Sequence, residues 1–257
     1  MAFSDEEVER YARHLVLREI GGPGQQKLKA VRVLMVGAGG LGSAAAPMLA
    51  AAGVGVLGLA DPDVVSLSNL QRQTLYATAD VGRLKVEAAT EHLNAINPQV
   101  RVETHPVAVT ARNAAALVEG YDLVLDGTDD FATRFAVNAA CVEVGRALIS
   151  GAIERWTGQV GVFAAGLTRG RALAERQPCY RCLTPEIPPG AETCARVGVV
   201  GALAGVIGAM MALEAVKWIA GAGQPLAGRL LIYDALAGET RTVRLGADPQ
   251  CPECGLV

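Results

Sequence analysis

The sequence predicts an α/β fold: a Rossmann-like, doubly wound, mostly parallel sheet with a mixed, antiparallel C-terminal extension and a structural zinc site. Three observations lead there. Continuous apolar runs alternate with helical stretches between Val31 and Ser150, as buried parallel strands and their crossover helices require. A G-x-G-x-x-G turn, Gly37 to Gly42, stands where the first such run meets a long helix. After Gly151 the strict alternation stops, and two C-x-x-C pairs appear among strand-like runs.

The elements follow in order. Ser4 with Glu7 has capping-box spacing, and Val8, Tyr11, Ala12, Leu15 and Val16 recur at helical intervals, so residues 5–19 read as one amphipathic helix. Gly21-Gly22-Pro23-Gly24 reads as its breaker, and a short helix from Gln25 to Lys29 leads into the strand Val31 to Val36. Then come helix Leu41 to Ala52, strand Val54 to Ala60, a polar loop through Tyr76, helix Asp80 to Ile96 and strand Val100 to Val107. Helix Ala111 to Glu119, strand Asp122 to Leu125, helix Asp130 to Val144 and strand Ala147 to Ser150 complete the alternation. Beyond lie a strand at Gln159 to Ala164, an irregular stretch from Gly166 to Cys194, an apolar helix, and strands near Leu230 to Tyr233 and Thr240 to Leu245. No repeat or long linker separates the halves, so residues 1–257 read as one domain. Its parts are N-terminal helices to residue 30, a nucleotide-binding half over 31–150, and a second half over 151–257 that carries the paired cysteines.

Hydrophobic residues make up 51% of the chain but aromatics only 4%, and there are 30 glycines, so small side chains build the core. Charged residues at 19% and this hydrophobicity exclude a disordered chain. A formal net charge of −3 gives no global reason to bind DNA or an anionic membrane, so an anionic ligand needs a local site. Six cysteines are too few for a disulfide scaffold, and the acidic start MAFSDEEVERYARH is unlike a signal peptide; a reducing, cytoplasmic compartment is expected. The uncharged stretch Val197 to Leu213 is at the short limit for a membrane span. Gly198, Gly201, Gly205 and Gly208 within it favour a buried helix packed closely through small residues.

The turn Gly37-Ala38-Gly39-Gly40-Leu41-Gly42 suits phosphate: glycines admit a tight turn and close backbone approach, and the helix N-terminus carries partial positive charge. Asp61, at the end of the next strand, is placed to accept a ribose hydroxyl proton. A glycine turn that only packs helix on strand is the plain alternative. Ser68, Asn69, Arg72 and Gln73 in the following loop, Lys85 on the next helix, and Asp129 and Asp130 past a buried strand add two cations and carboxylates, a set suited to a triphosphate with magnesium. His14, His92 and His105 form no hydride-handling or catalytic constellation.

Cys179, Cys182, Cys251 and Cys254 offer four thiolates, which tetrahedral zinc takes, although the 68 residues between the pairs exceed a usual zinc ribbon and leave a redox dithiol open. Cys141 reads as a small core residue. Cys194, before a helix and near Arg196, is as readily a plain loop cysteine as a nucleophile.

Taken together, RYARHLVL, GAGGLG, DPDVVSLSNLQRQ, GRLKVEAA, LDGTDD, CYRCL, ETCARVGVVG and CPECG resemble the ThiF/MoeB/HesA branch of the ubiquitin-activating superfamily, in order and over nearly the whole chain. Within it the similarity is greatest to the molybdopterin-synthase adenylyltransferases. The resemblance implies a homodimer that uses magnesium ATP to adenylate the C-terminal glycine of a small ubiquitin-like sulfur carrier ending in Gly-Gly, releasing pyrophosphate before the carrier becomes a thiocarboxylate. It implies that Gly40 and its loop face phosphate, Asp61 takes the ribose, and Asn69, Arg72, Gln73 and Lys85 hold the triphosphate. Asp129 matches the aspartate used for magnesium and catalysis, and Arg13 an arginine that reaches the partner subunit's site. The four paired cysteines match zinc ligands. Cys194 matches a cysteine that bonds to the carrier in some members and is dispensable in others.

Three features depart from or extend that pattern. Asp130 stands where the family has asparagine, adding negative charge beside the triphosphate. Arg169, Arg171 and Arg176 reach an acidic carrier surface or lie on a solvated hairpin. The sequence stops after Cys254 without a sulfurtransferase domain, so sulfur is expected from a separate sulfurtransferase or cysteine desulfurase. Which carrier and pathway are served, molybdopterin, thiamine or another, stays open. The alternatives are adenylation of a carboxylate on modified tRNA, a NAD-binding redox protein, and a scaffold that binds the carrier without chemistry.

Overall fold

The computed structural model describes residues 3–187 and 198–255. Its strands are β1 (Arg32–Val36), β2 (Val56–Ala60), β3 (Arg101–His105), β4 (Leu123–Asp126), β5 (Ala147–Glu154), β6 (Thr157–Phe163), β7 (Arg229–Asp234) and β8 (Glu239–Arg244). They form one sheet in the order β3-β2-β1-β4-β5-β6-β7-β8. The five strands from β3 to β5 pair in parallel, with Val33 opposite Leu57 on one side and Leu123 on the other. The last three pair antiparallel, beginning with Leu148 opposite Phe163.

The helices are α1 (Asp5–Arg10), α2 (Ala12–Leu15), α3 (Gly21–Ala30), α4 (Gly40–Ala52), α5 (Lys85–Ile96), α6 (Ala114–Glu119), α7 (Phe131–Val144), α8 (Tyr180–Leu183) and α9 (Gly201–Ala220). Strand residues of alternate parity feed two cores. Val33 and Met35 pack with Leu49, Leu93 and Ile207 from α4, α5 and α9, whereas Leu34 and Val36 pack with Val118 and Val137 from α6 and α7. Helices therefore cover both faces, which is why the inner strands read as unbroken apolar runs. The chain leaves β1 for β2 on one side and reaches β4 on the other, so a crevice opens at the carboxyl ends Val36 and Asp126.

Several expectations shift for identifiable reasons. The first helix is two, α1 and α2, because Tyr11 between them is drawn into the core: it is 4% exposed, and a Cβ on Gly53 would lie 2.4 Å from its Cζ. The capping box is present, with the Ser4 amide donating to Glu7 Oε2 at 2.8 Å. Gly21 to Gly24 do not break a helix but open α3, whose first turn tolerates Pro23 because the missing N–H has no intrahelical partner there. Asp80 does not begin a helix: it closes a 3-10 turn, accepting the Ala77 amide at 2.9 Å, and α5 starts at Lys85. Residues 166–177 form two short 3-10 turns, Ala165–Thr168 and Leu173–Glu175, and no hairpin.

The apolar helix α9 begins at Gly201 and runs past Glu214, the charge expected to bound it. It is long and apolar enough to cross a membrane. It packs along α4, where a Cβ on Gly208 would stand 2.6 Å from the Leu41 carbonyl oxygen. Glu214, 6% exposed, accepts the Leu226 amide at 2.7 Å and Lys217 Nζ at 2.5 Å.

Candidate active site

The crevice holds a cavity of about 590 Å³. Gly37, Gly39 and Gly40 from the turn, Asp61, Asn69, Arg72, Gln73 and Lys85 from the β2 side, and Asp129 and Asp130 from the end of β4 all line it. Ten of the positions singled out in the sequence thus converge on one volume, although they span the chain from residue 37 to 130.

The glycine turn is fixed from three directions. Gly37 takes φ +86°, and its amide donates to the Ala60 carbonyl at 2.9 Å. The Ala38 amide donates to Asp61 Oδ2 at 2.8 Å, and the Tyr76 hydroxyl donates to the Ala38 carbonyl at 2.8 Å. Burial pushes the Tyr76 pKa far up, so the phenol stays a neutral donor. Gly39 is the N-cap of α4, and the amides of Gly40, Leu41 and Gly42 precede the first intrahelical bond, from Ser43 to the Gly39 carbonyl at 2.8 Å. First-turn amides and the helix dipole are suited to receive an anion without any side chain. Gly42 does not line the cavity; it lies against the turn, where a Cβ would stand 2.0 Å from the Gly37 oxygen.

Charges flank this turn. Lys85, 4% exposed, lies between two carboxylates, 2.8 Å from Asp63 Oδ2 and 3.7 Å from Asp61 Oδ1. Arg72 lines the cavity and donates through Nη1 to the Ser68 carbonyl at 3.1 Å, while the exposed Ser68 itself lies outside the cavity. Gln73 is 2% exposed, and its Oε1 has no protein partner, so it keeps an acceptor free in the site. Asp129 is exposed to the cavity. Asp130 has a different occupation: its Oδ2 accepts the Thr133 amide at 2.8 Å and the Thr133 hydroxyl at 2.9 Å, capping α7. That explains how an added carboxylate is accommodated where charge is costly, since the helix N-terminus stabilises it.

Arg134 is the residue that sequence reading missed. It is 5% exposed, lines the cavity, and donates through Nη2 to the carbonyls of Thr128 and of Gly151, the latter at 2.9 Å, and through Nη1 to Ser150 Oγ at 3.3 Å. Burial by itself would lower its pKa, yet the neighbouring Asp126 carboxylate holds it above the usual guanidinium value. Asp126, wholly buried, accepts the Thr128 amide at 3.0 Å and hydroxyl at 2.7 Å. The available signal was a lone arginine in the apolar early turns of the helix that follows Asp129.

The three histidines lie outside the cavity: His14 bonds Gln25, His92 bonds Asp80, and His105 bonds Tyr121. Arg13 is exposed on α2 and does not line the cavity either. Cys194 falls outside the described residues.

Cys179, Cys182, Cys251 and Cys254 meet as one cluster, their sulfurs all within 4.8 Å of one another and the closest pairs at 3.5 Å. Tetrahedral zinc, with about 2.3 Å to each thiolate, places sulfurs about 3.8 Å apart, so the set fits that ion. As bare thiols they conflict: hydrogen bonds from Cys179 and Cys254 push the Cys182 pKa down, while hydrogen bonds to Cys182 and Cys254 push Cys179 far up. A bound cation removes the conflict. The amides of Asp248 and Glu253 donate to Cys182 and Cys251 sulfurs at 3.4 and 3.5 Å, which fixes the orientation of those sulfurs and favours their thiolate form. Arg176 is no free surface cation, since its Nη2 donates to the Cys254 carbonyl at 2.5 Å. Cys141 is a buried core residue.

The glycine turn, the cation set, the acidic strand end and the cysteine cluster occur together along a chain whose residues 11–253 match the model of the ThiF family. The chain belongs to the ThiF family. The sulfur carrier protein adenylyltransferase of Thermus thermophilus is 47% identical over 257 residues, covering 99% of this chain and 93% of that protein. The molybdopterin-synthase adenylyltransferase of Escherichia coli is 45% identical over 252 residues, covering 98% of each. The probable adenylyltransferase/sulfurtransferase MoeZ of Mycobacterium tuberculosis is 46% identical over 98% of this chain, which spans 64% of MoeZ. In three dimensions this ThiF-family chain superposes on E. coli MccB crystallised with ATP with a TM-score of 0.81 at 23% identity, covering 96% of this chain and 75% of the other, which establishes the shared fold.

Proposed function

We propose that this protein uses magnesium ATP to adenylate the C-terminal glycine carboxylate of a small ubiquitin-like sulfur carrier ending in Gly-Gly. The observation that carries the reading is the convergence of the phosphate turn, Asn69, Arg72, Gln73, Lys85 and Asp129 on one cavity. Full-length similarity to adenylyltransferases named for a sulfur carrier and for molybdopterin synthase supports the substrate class.

The chemistry brings a carboxylate onto an α-phosphate, one anion onto another, so the site has to cancel charge and align two reactants. Backbone amides of the α4 N-terminus receive phosphate oxygens. Arg72 and Lys85 neutralise charge along the triphosphate, with Lys85 exchanging part of its interaction with Asp63 for phosphate. Asp61, tied to the Ala38 amide, keeps the ribose and the phosphate turn in one frame. Asp129 is the carboxylate that would hold magnesium, which supplies further charge neutralisation when bound. A glycine carboxylate is already ionised at neutral pH, so no protein base is needed, and the absence of histidine from the cavity lining agrees with that.

The cysteine cluster would hold zinc as a structural ion that ties the C-terminal turn to α8. Arg13 lies on the surface, where it would serve the site of a second copy. The exposed apolar residues Met48, Val206 and Leu213 on α4 and α9 are suited to cover one another in a homodimer. Sulfur would reach the adenylated carrier from a separate donor, a sulfurtransferase or cysteine desulfurase.

The deciding experiment is exchange of labelled pyrophosphate into ATP, dependent on a Gly-Gly carrier from the same genome. Exchange that requires the carrier's terminal glycine is expected. Absence of exchange with every such carrier overturns the reading, and exchange with an RNA acceptor instead selects the tRNA alternative.

A further inference from the structure

The cysteine cluster and the nucleotide cavity are joined by an unbroken chain of contacts. Tyr180, directly after Cys179, opens α8 and is 4% exposed. Its amide donates to Asn138 Oδ1 on α7 at 2.7 Å, and its ring packs edge-on against Phe163 with centroids 5.5 Å apart. The Arg134 guanidinium lies 5.8 Å from the centre of that ring. From there Arg134 reaches three groups: the Thr128 carbonyl, just before Asp129; the Gly151 carbonyl on β5; and the Ser150 hydroxyl.

This arrangement is more than charge pairing. Asp126 already has Thr128 and Ser150 as donors, and a buried cation of any shape would balance it. What only the planar guanidinium supplies is a fork that ties the turn after β4 to the next strand while its central carbon stands over the Tyr180 ring, 5.8 Å from its centre. The turn so held, Thr128-Asp129-Asp130, is pinned at one end by this fork and at the other by the Asp130 cap on α7. Asp129 stands between the two anchors, exposed to the cavity.

We propose that Arg134 is a positioning residue for Asp129, and that Tyr180 seats its guanidinium, so that the geometry of the cysteine cluster sets the placement of the acidic turn. Arg134 does not act on substrate; it fixes where the Asp129 carboxylate stands. The inference rests on the adenylation reading, and an error of about 1 Å in placing a reacting group costs on the order of 100-fold in rate.

The test uses the full chain and begins with carrier-dependent exchange by the unaltered protein; its absence removes the functional reading and leaves the positioning question to magnesium-dependent ATP binding. Arg134→Lys keeps the buried cation and loses the fork. Expected are a folded protein with a lowered melting temperature, a fall in exchange kcat of about 10- to 100-fold, a KM for ATP within about threefold, and a higher magnesium concentration for half-maximal exchange or binding. Tyr180→Leu keeps Arg134 and removes the ring, and the same kcat loss and magnesium shift are expected, smaller in size. It decides alone if Arg134→Lys does not fold. A folded Arg134→Lys protein with unaltered kcat and magnesium dependence overturns the proposal. So does a loss confined to melting temperature, which marks Arg134 as packing only.

Discussion

Replacing Gly42 with alanine separates the geometry of the phosphate turn from its chemistry. The new Cβ would stand 2.0 Å from the Gly37 carbonyl oxygen and 3.0 Å from its carbonyl carbon, about 1.4 Å short of the 3.4 Å at which ordinary contact begins. The obstacle is backbone, so no side-chain rotation relieves it. Gly37 is held at φ +86° by its bond to the Ala60 carbonyl, and α4 is held by its packing on α9, so the turn and the helix must part by about an ångström. Overpacking of this kind costs about 1–3 kcal/mol of stability. Misplacing the phosphate amides by the same distance costs on the order of 100-fold in rate. The control is Gly39→Ala, where the nearest heavy atom to the new Cβ is Gln73 Nε2 at an ordinary 3.7 Å. Thermal unfolding and carrier-dependent pyrophosphate exchange read the two effects. Gly42→Ala should lose both stability and exchange, whereas Gly39→Ala should keep its melting temperature and lose only ATP affinity. A Gly42→Ala protein that melts and turns over like the parent refutes the reasoning.

Other outcomes follow from the same geometry. Lys85→Met leaves the Asp61 and Asp63 carboxylates facing the triphosphate without a cation, and exchange should fall by about 100-fold or more while the protein remains folded. Cys251→Ser should lower metal content, measured by elemental analysis, from about one zinc per chain and lower the melting temperature, whereas Cys141→Ser should leave zinc bound. Arg13→Ala and Asp129→Ala should each be inactive alone and recover part of the exchange when mixed, provided subunits exchange; no recovery after verified exchange excludes a shared site. Asp80 has its pKa held below the ordinary carboxylate value by the Ala77 amide, His92 and Arg83. Its stabilisation is therefore present above the unfolded pKa near 3.8 and lost as pH falls through the folded value. Asp80→Asn should melt lower at pH 7 and show a shallower decline in melting temperature below pH 4.

Much of this was legible in one dimension because it depends on local rules. Parallel strands buried on both faces demand unbroken apolar runs, so β1, β2 and β4 could be read directly, and G-x-G-x-x-G marks the turn because only glycine tolerates φ +86° at residue 37 and the 2.0 Å approach at residue 42. Each C-x-x-C pair was legible in its own spacing, whereas the meeting of the two pairs was decided by the fold. Elements set by distant contacts were read less well. Helix α1 is cut short by Tyr11, which is held by Asn97 from the far end of α5. Helix α9 continues past Glu214 because Leu226 supplies an amide to that carboxylate. Asp130 lines the cavity and also caps α7, a second role that no spacing showed, and Ser68 offers its carbonyl to Arg72 while lying outside the cavity.

By itself the sequence determined the fold class, the glycine turn, the candidate cations and carboxylates, and the two C-x-x-C pairs, because each follows from residue type, period or short spacing. Tertiary structure decided which of those residues share a volume, that Gly42 and Asp130 serve the frame of the site, and that Arg134 stands between Tyr180 and the turn before Asp129. The physical reason is that a buried charge acquires its role from partners brought to it by folding, and no period or spacing along the chain encodes those partners.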